Sequence, residues 1–552
     1  FFELGGDSIL SIQVVARARR AGLHITPKQL FQAPTVAQLA ALAGRASVVE
    51  AEQGLVVGPL PLTPAQHAFF EQGYPQPSHW NQALLLATAE PLHPDHLSSA
   101  LAALLAHHDA LRLRFRRTEA GWQQANEGMP PGEPTPFEVV SLADVADANL
   151  PAAIAEQVAA AQASLDVERG PLTRMVYMDL GPGRPHRLLW VAHHLAVDSV
   201  SWRILTEDLL AAYRQLSQGR PVQLPAKTTS FRQWAWRLVQ YAQSPRLLAQ
   251  APYWLDLVGQ PAVAIPVDRQ EGPNNEASAA DVRVALDAAD TEALLRDVHV
   301  AYGTDVNDLL LSALALTLAT WLGDSRSHRE PGPLRSRGNG SAEPALVLPV
   351  ALEGHGREDI LDGVDLSRTV GWFTSVYPLY LRIAPADLAP DRLGRLLQAV
   401  KEQRRAVPQS GLGFGLLRYL CQDPAVEPLR RLPTPEISFN YLGQFDVAGQ
   451  QAAVRPAPEP VAPERGPANH RSHLLEISAA VVDGRLQVTW RYSRNRHRGE
   501  TVQRLADAYL QHLRALIVHC LQPEAVGYTP SDFREAGLSQ DELDAILAEI
   551  SQ

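Results

Sequence analysis

Apolar residues recur along the chain with two different periods, and the places where the period changes divide it into parts. Near the start, Ile9, Leu10, Ile12, Val15 and Ala16 fall on one helical stripe that Gly22 ends. Thr26-Pro27 and Thr35-Val36 then pair a capping hydroxyl with a first-turn residue, which predicts two further short helices. Residues 1–46 thus read as a small helical bundle lacking its first helix, and residues 47–57 as a linker. From 58 to 528, helical spacing at 96–108, 202–216 and 307–322 alternates with strand-like runs at 81–87, 187–192, 346–352, 375–383, 436–441 and 486–492, which predicts a mixed α/β unit. Pro/Gly-rich, aromatic-free stretches at 124–136, 324–344 and 452–470 predict mobile surface loops that carry no chemistry. Residues 529–552 form a tail in which Ser539 opens an acidic amphipathic helix, and its stripe of Leu543, Ile546, Leu547 and Ile550 needs a partner.

Length and composition narrow the functional classes. At about 150 residues per domain, 552 residues suggest about three to four compact units. With 46% hydrophobic and 20% charged residues the chain can bury large cores, which excludes wholesale disorder. The net charge of −11 lacks the cationic surplus that nucleic acid or anionic lipid recruits, so neither is an expected partner. Cys421 and Cys520 stand far apart, each without a second cysteine nearby, which argues against a thiolate zinc motif or disulfide framework and for a reducing compartment. No apolar run reaches membrane-spanning length and no leader signal opens the chain, so a cytoplasmic protein is expected. The first residue is Phe1, with a helical pattern already under way, as in a segment of a longer polypeptide. Only Lys28, Lys227 and Lys401 are lysines and none stands in a motif, so Schiff-base chemistry has few anchors and each is expected to be structural.

Two short runs carry candidate chemistry. Gly5-Gly6-Asp7-Ser8 precedes the first apolar stripe; the glycines allow a tight turn, Asp7 can cap, and the Ser8 hydroxyl sits at a helix N-terminus where a phosphate diester is favoured. For the tetrapeptide alone, a plain turn and cap is the commoner explanation. The second run, HHLAVDSVSW from His193 to Trp202, follows the strand-like LLWVA. Paired imidazoles at a strand end suit proton transfer near neutral pH, although a bare pair is as readily two satisfied structural histidines. Asp198, so near a helix start, is as often a cap or ion-pair partner as a base.

The residues around these runs resemble a known family. FFELGGDSIL (1–10) resembles the core of the peptidyl carrier domains of nonribosomal peptide synthetases, which implies that Ser8 bears 4'-phosphopantetheine; the aspartate before it is similar to carriers that precede epimerization domains. HHLAVDSVSW, continuing into RIL, resembles the HHxxxD signature of the condensation-domain superfamily in its epimerization form, with Ser199 where the family usually has glycine. PLTPAQHAFF (61–70), HWNQALLL (79–86), HHDALRLRF (107–115), EGHGRE (353–358), SRTVGWFTSVYPL (367–379), PQSGLGFG (408–415) and EISFNYLGQFD (436–446) follow in the family's order.

The resemblance implies an α/β fold of two chloramphenicol-acetyltransferase-like lobes in a V-shaped pseudodimer behind the truncated carrier bundle, with the site at their junction. It implies an epimerase that inverts, from L to D, the α-carbon of an aminoacyl or peptidyl thioester, without metal, nucleotide or pyridoxal. In this reading His194 and Glu353 are the two bases, and His193 orients the loop. Asn440 and Tyr441 donate to the developing enolate oxygen, while Arg112 and Asp198 form an ion pair that holds the histidine loop. His355 is structural, and Trp202 and Trp372 are packing residues or cleft walls. Expected partners are the chain's own carrier domain, an upstream adenylation domain and a downstream condensation domain, reached in cis or by docking of the acidic tail onto a basic surface. Two other classes share part of the pattern. A condensation enzyme would join two acyl carriers with the same histidines, against which EGHGRE and the SW continuation argue. A non-catalytic recruitment module is opposed by the retention of His194 and Glu353. Neither the amino acid inverted nor the base that acts first is readable.

Overall fold

The computed structural model describes residues 51–327, 345–445 and 454–550, except 89, 131, 133, 462, 534 and 535, and at the N-terminal end residues 11, 14, 15, 17, 18, 21–33 and 35–45. Ser8 lies outside them. Thr26 and Thr35 each accept the backbone N–H three residues on while Gln29 and Gln38 reach back, closing capping boxes on helices Pro27–Gln32 and Val36–Leu42. Strands β1 (Leu23–His24) and β2 (Gly44–Arg45) pair antiparallel, and Val15, Ile25 and Leu30 form a small core of their own.

The remaining strands are β3 (Gly58–Leu60), β4 (Asn81–Thr88), β5 (Leu113–Thr118), β6 (Gly121–Asn126), β7 (Phe137–Ser141), β8 (Thr173–Asp179), β9 (His186–His193), β10 (Ala279–Ala285), β11 (Leu346–Gly354), β12 (Ser375–Ile383), β13 (Ile437–Phe445), β14 (Val454–Pro456), β15 (Leu475–Val482) and β16 (Arg485–Ser493). They build two main sheets, ordered β14-β4-β9-β8-β7 and β10-β16-β15-β13-β11-β12, and a small sheet β3-β6-β5. This is the expected α/β architecture of two lobes.

The central strand of the first sheet explains its layering. Every residue of β9, HRLLWVAH, is buried. Leu188, Trp190 and Ala192 face one core, Leu189 and Val191 the other, so the strand is apolar without alternation because both faces are covered. Ile154, Val158 and Ala161 of helix Leu150–Ala163 pack in the second of these cores. Helices Pro94–His107 and Ser199–Ser217 pack together and bury Leu97, Leu101, Ile204 and Leu205 in the first. That core continues into the second lobe, where helices Val306–Ser327 and Gly499–Cys520 contact each other. Val306–Gly323 departs from the sequence reading. Among the described residues it is the stretch long and apolar enough to cross a membrane, but 72% of it is buried, where a helix apolar all round belongs.

The stretch at 452–470 also departs from expectation, since it is a strap rather than a mobile loop. By sequence it belongs between β13 and β15 of the second sheet, yet β14 pairs antiparallel with β4 at the edge of the first, Val454 opposite Thr88. Further along, the Asn81 N–H donates to the Glu464 carbonyl at 2.7 Å and the Gly466 N–H to the His79 carbonyl at 2.8 Å. Its composition signals missing regular structure, not exposure, because a strand edge satisfies the strap's backbone. Of the other two stretches, 124–126 belong to β6, and 328–344 lie outside the described residues.

The tail begins as part of the body. Thr529 is buried, and Asp532 accepts from the buried Lys401 Nζ at 2.6 Å and from Arg405 Nη1 at 2.9 Å, on helix Leu393–Arg405. In helix Gln540–Ile550, Leu543 is buried and Ile546 exposed; the side chains of Leu547 and Ile550 lie outside those described. Cys421 and Cys520 are buried and unpaired.

Candidate active site

β9 ends at His193, and the chain turns at once through His194–Ala196 into helix Ser199–Ser217. The two rings therefore point to different places. His193 is buried, with Nε2 donating to the Pro77 carbonyl at 2.8 Å and Nδ1 accepting the Leu195 N–H at 3.1 Å. Burial pushes its pKa down to about 3. A neutral ring with both nitrogens taken by backbone shapes the turn, the orienting part of its expected role, and leaves no nitrogen for substrate. His194 faces a cavity, its ring 4.5 Å from that of Trp372. Burial lowers its pKa; the carbonyls of His194 and Val197 and the Asp198 carboxylate oppose this, and Arg465 adds to it. The ring is neutral at neutral pH. Ser199, in the glycine's place, opens the helix at an exposed position whose helical backbone asks for no glycine.

Asp198 caps that helix, its Oδ1 accepting the N–H and the hydroxyl of Ser201, both at 2.7 Å. The expected Arg112–Asp198 pair is not formed. Arg112 donates instead to the carbonyls of Val56, Leu105, His108 and Glu127. The partner of Asp198 is Arg357, whose Nη2 lies 3.0 and 3.1 Å from the two carboxylate oxygens. Its Nη1 donates to the carbonyls of Leu366 and Thr369, and its guanidinium carbon sits 3.9 Å over the Phe373 ring. Both terminal nitrogens are thus engaged, as a buried ion requires. Arg357 belongs to EGHGRE, so this pair bolts the histidine loop at the end of β9 to the carboxylate loop at the end of β11. Gly356 in that loop has φ +66°, and a Cβ there would lie 1.7 Å from the Phe373 carbonyl oxygen, which is why glycine is needed. His355 Nδ1 accepts the Arg357 N–H at 3.0 Å, the structural role expected of it.

Glu353 stands near the end of β11, opposite Val376 of β12. It shares with His194 the wall of one cavity of about 260 Å³, together with Trp80, Trp372, Tyr377, Arg465 and Glu476. The Glu353 side chain is open to the cavity space while the surrounding wall encloses it. Burial raises its pKa; Arg465 opposes the rise and Glu476 adds to it. The imidazole is thus drawn down and the carboxyl up, which holds the ring neutral and makes the carboxyl more readily protonated than an ordinary one.

Asn440 and Tyr441 require a correction. Alternation along β13 puts Ser438 and Asn440 on one face, and Ile437, Phe439 and Tyr441 on the other, which packs into the core. Ser438 lines the cavity, and neither Asn440 nor Tyr441 is among its described lining residues. Asn440 Nδ2 donates to Glu353 Oε2 at 2.6 Å, so its amide holds the carboxylate rather than an enolate oxygen.

The strap supplies what the sequence reading missed. Arg465 Nη1 lies 3.0 Å from Glu276 and 3.0 Å from Glu476, and the guanidinium carbon is 4.3 Å over the ring of Trp80. Burial works to raise the Glu476 pKa, but Arg465 and Arg471 outweigh it and hold it at about 2. Trp202 is buried and donates its Nε1–H to Gln82 Oε1 at 2.8 Å, while Trp372 is a cavity wall. Among the described residues, one cluster has ligand-like spacing: His107, His108 and Asp208. It does not border the cavity, and its carboxylate is already shared by His108 and Arg368.

Comparison with known proteins adds the following. Residues 56–328 and 348–538 match the family model of the condensation domain, and residues 1–43 that of the phosphopantetheine attachment site. A linear gramicidin synthase polypeptide of Brevibacillus parabrevis is 45% identical over 557 residues, covering 100% of this chain and 10% of its own length. Chondramide synthase cmdD of Chondromyces crocatus is 44% identical over 553 residues, covering 99% of this chain and 13% of its own. The chain thus spans about a tenth of these relatives. The solved epimerization domain from the third module of tyrocidine synthetase B is 36% identical with a TM-score of 0.75, over 86% of this chain and 99% of that one. The X-domain from teicoplanin biosynthesis shares the fold at 20% identity and a TM-score of 0.61, over 86% of this chain and 97% of that one.

Proposed function

The chain belongs to the condensation-domain family, and from that premise we propose that it epimerizes the α-carbon of an aminoacyl or peptidyl thioester held on the phosphopantetheine arm of Ser8. The observation that carries the proposal is the pair of candidate bases: His194 and Glu353 come from different sheets and line one cavity, where burial lowers the proton affinity of the imidazole and raises that of the carboxyl. The likeness to the tyrocidine synthetase epimerization domain over 99% of that domain supports it.

Ser8 lies outside the described residues, so the fit of the arm is judged at the cavity. Its walls suit the acyl part of a thioester: Trp80, Trp372 and Tyr377 are aromatic, and Arg465 is already paired with Glu276 and Glu476. The arm supplies a thioester, which acidifies the α-hydrogen, and a tether, which holds the substrate at about millimolar effective concentration. His194 accepts the α-hydrogen on Nε2 from one face once the Gln82 amide, which holds that lone pair at 3.0 Å, gives way to it. Glu353, more readily protonated than an ordinary carboxyl, returns a proton to the other face, and the reverse direction exchanges the roles. Each positioned group contributes about 10²- to 10⁴-fold. Adenylation upstream and condensation downstream are the partner activities this reading calls for.

The test is to load the carrier with an L-aminoacyl group and follow α-hydrogen exchange in deuterated water. His194→Ala and Glu353→Gln are each expected to slow it by about 10²-fold or more. Wild-type exchange should fall off only as the pH drops through a value below the ordinary histidine pKa of 6.5, because burial favours the neutral ring. Wild-type rates in both variants would sink the assignment. Peptide-bond formation, the activity the family's name describes, would leave Glu353 without a part, and mixing two loaded carriers with the protein separates the two readings.

A further inference from the structure

We propose that Gln82, fixed by Trp202, is a positioning residue that holds His194 in the tautomer whose Nε2 carries the lone pair. This rests on the reading of His194 as a base. An indole N–H can only donate, so Trp202 Nε1, at 2.8 Å, fixes which end of the Gln82 amide is its oxygen. The amide N–H₂ is then turned to His194 Nε2 at 3.0 Å, and that nitrogen must accept. The proton of the neutral ring is then left to Nδ1, which is buried and has no hydrogen-bond partner among the described residues.

The amide also opposes the charged ring. An imidazolium would set Nε2–H against N–H₂, donor against donor, and the amide cannot turn over without presenting N–H₂ to the indole. The fold makes this lock from two elements. Gln82 on β4 is opposite Ala192 on β9, which makes His194, two residues on, its diagonal neighbour. Trp202 stands edge-on to Trp190 at 5.4 Å, so the indole is itself held. The charged groups facing His194 are Asp198 and Arg465, with His193 alongside and Glu353 on the same cavity. Among the described residues, Gln82 is the hydrogen-bond partner of Nε2.

Two variants test the lock on the full holo chain. Gln82→Glu offers carboxylate oxygens to both the indole and an Nε2–H, which favours the imidazolium. Trp202→Phe keeps Gln82 but frees its amide to turn. The first readout is ¹⁵N NMR of histidine-labelled protein, with His194 assigned through His194→Ala; the second is the pH profile of α-hydrogen exchange. Wild-type Nε2 should be unprotonated at neutral pH. In Gln82→Glu the titration of His194 should rise by about 1 to 3 pH units, with the acid limb of exchange following it. Trp202→Phe should move it the same way by less. A proton on wild-type Nε2, or an unmoved titration in both folded variants, overturns the proposal. The expected tautomer without any α-exchange would uphold the lock and overturn the epimerase reading.

Discussion

Glu353 owes its proton affinity to the wall around it and its position to Asn440, and the two influences are separable by mutation. Asn440→Ala removes a 2.6 Å hydrogen bond to the carboxylate without touching the cavity lining. A hydrogen bond to a charged group contributes about 1.5–3 kcal/mol, so α-hydrogen exchange should fall by about 10- to 100-fold with the fold intact, as hydrogen–deuterium exchange rates of the variant will show. An unchanged rate would free Glu353 from dependence on that amide. His194 and Glu353 are singled out by the likeness of HHLAVDSVSW and EGHGRE to the family's motifs, since a histidine pair or a carboxylate at a strand end is, taken alone, more readily structural. Asn440 is legible as a polar residue worth noticing, but its target is not, since Glu353 lies on the neighbouring strand and a single sequence carries no cross-strand register. The same limit hides Gln82, which looks like the polar first turn of an ordinary strand until Trp202 and His194 are seen on either side of it.

Between elements, the ion pair of Asp198 and Arg357 joins the loop after β9 to the loop after β11. Arg357→Met should leave Asp198 as an uncompensated buried charge and cost about 3–5 kcal/mol, read as a lowered urea midpoint; adding Asp198→Asn should recover part of the loss. Equal stability of the single variant and wild type would mean the bolt carries no load. Arg112 and Arg357 offer identical chemistry to an aspartate, and only the fold decides between them, because Arg112 is consumed by four carbonyls before it reaches any carboxylate. The alternation of helices and strands is readable from periodicity, and so are the capping boxes of the short N-terminal helices. The strap escapes a linear reading for a physical reason: proline and glycine deny it regular structure, but its hydrogen-bond partners are the exposed edge of β4, and edges are invisible in a one-dimensional pattern.

At the scale of the whole molecule, the tail has two parts with different consequences. Lys401 is fully buried and answered by Asp532 at 2.6 Å. Removing 529–552 strips that partner away and should cost about 3–5 kcal/mol, whereas removing 539–552 keeps the pair, loses the burial of Leu543 and should lower the thermal midpoint much less. Docking to a downstream protein is therefore fairly tested only with the shorter deletion, where weakened transfer with intact exchange would support it and unchanged transfer would oppose it. The strap has a different reach. Because a segment encoded in the second half completes the sheet of the first and also delivers Arg465 to the cavity shared by His194 and Glu353, the halves are dovetailed. Recombining two relatives at the mid-chain boundary would marry one parent's β4 edge to the other parent's strap, so module engineers should place their crossover points ahead of the linker or beyond Asp532, the partner of Lys401, and inherit the interior as one piece.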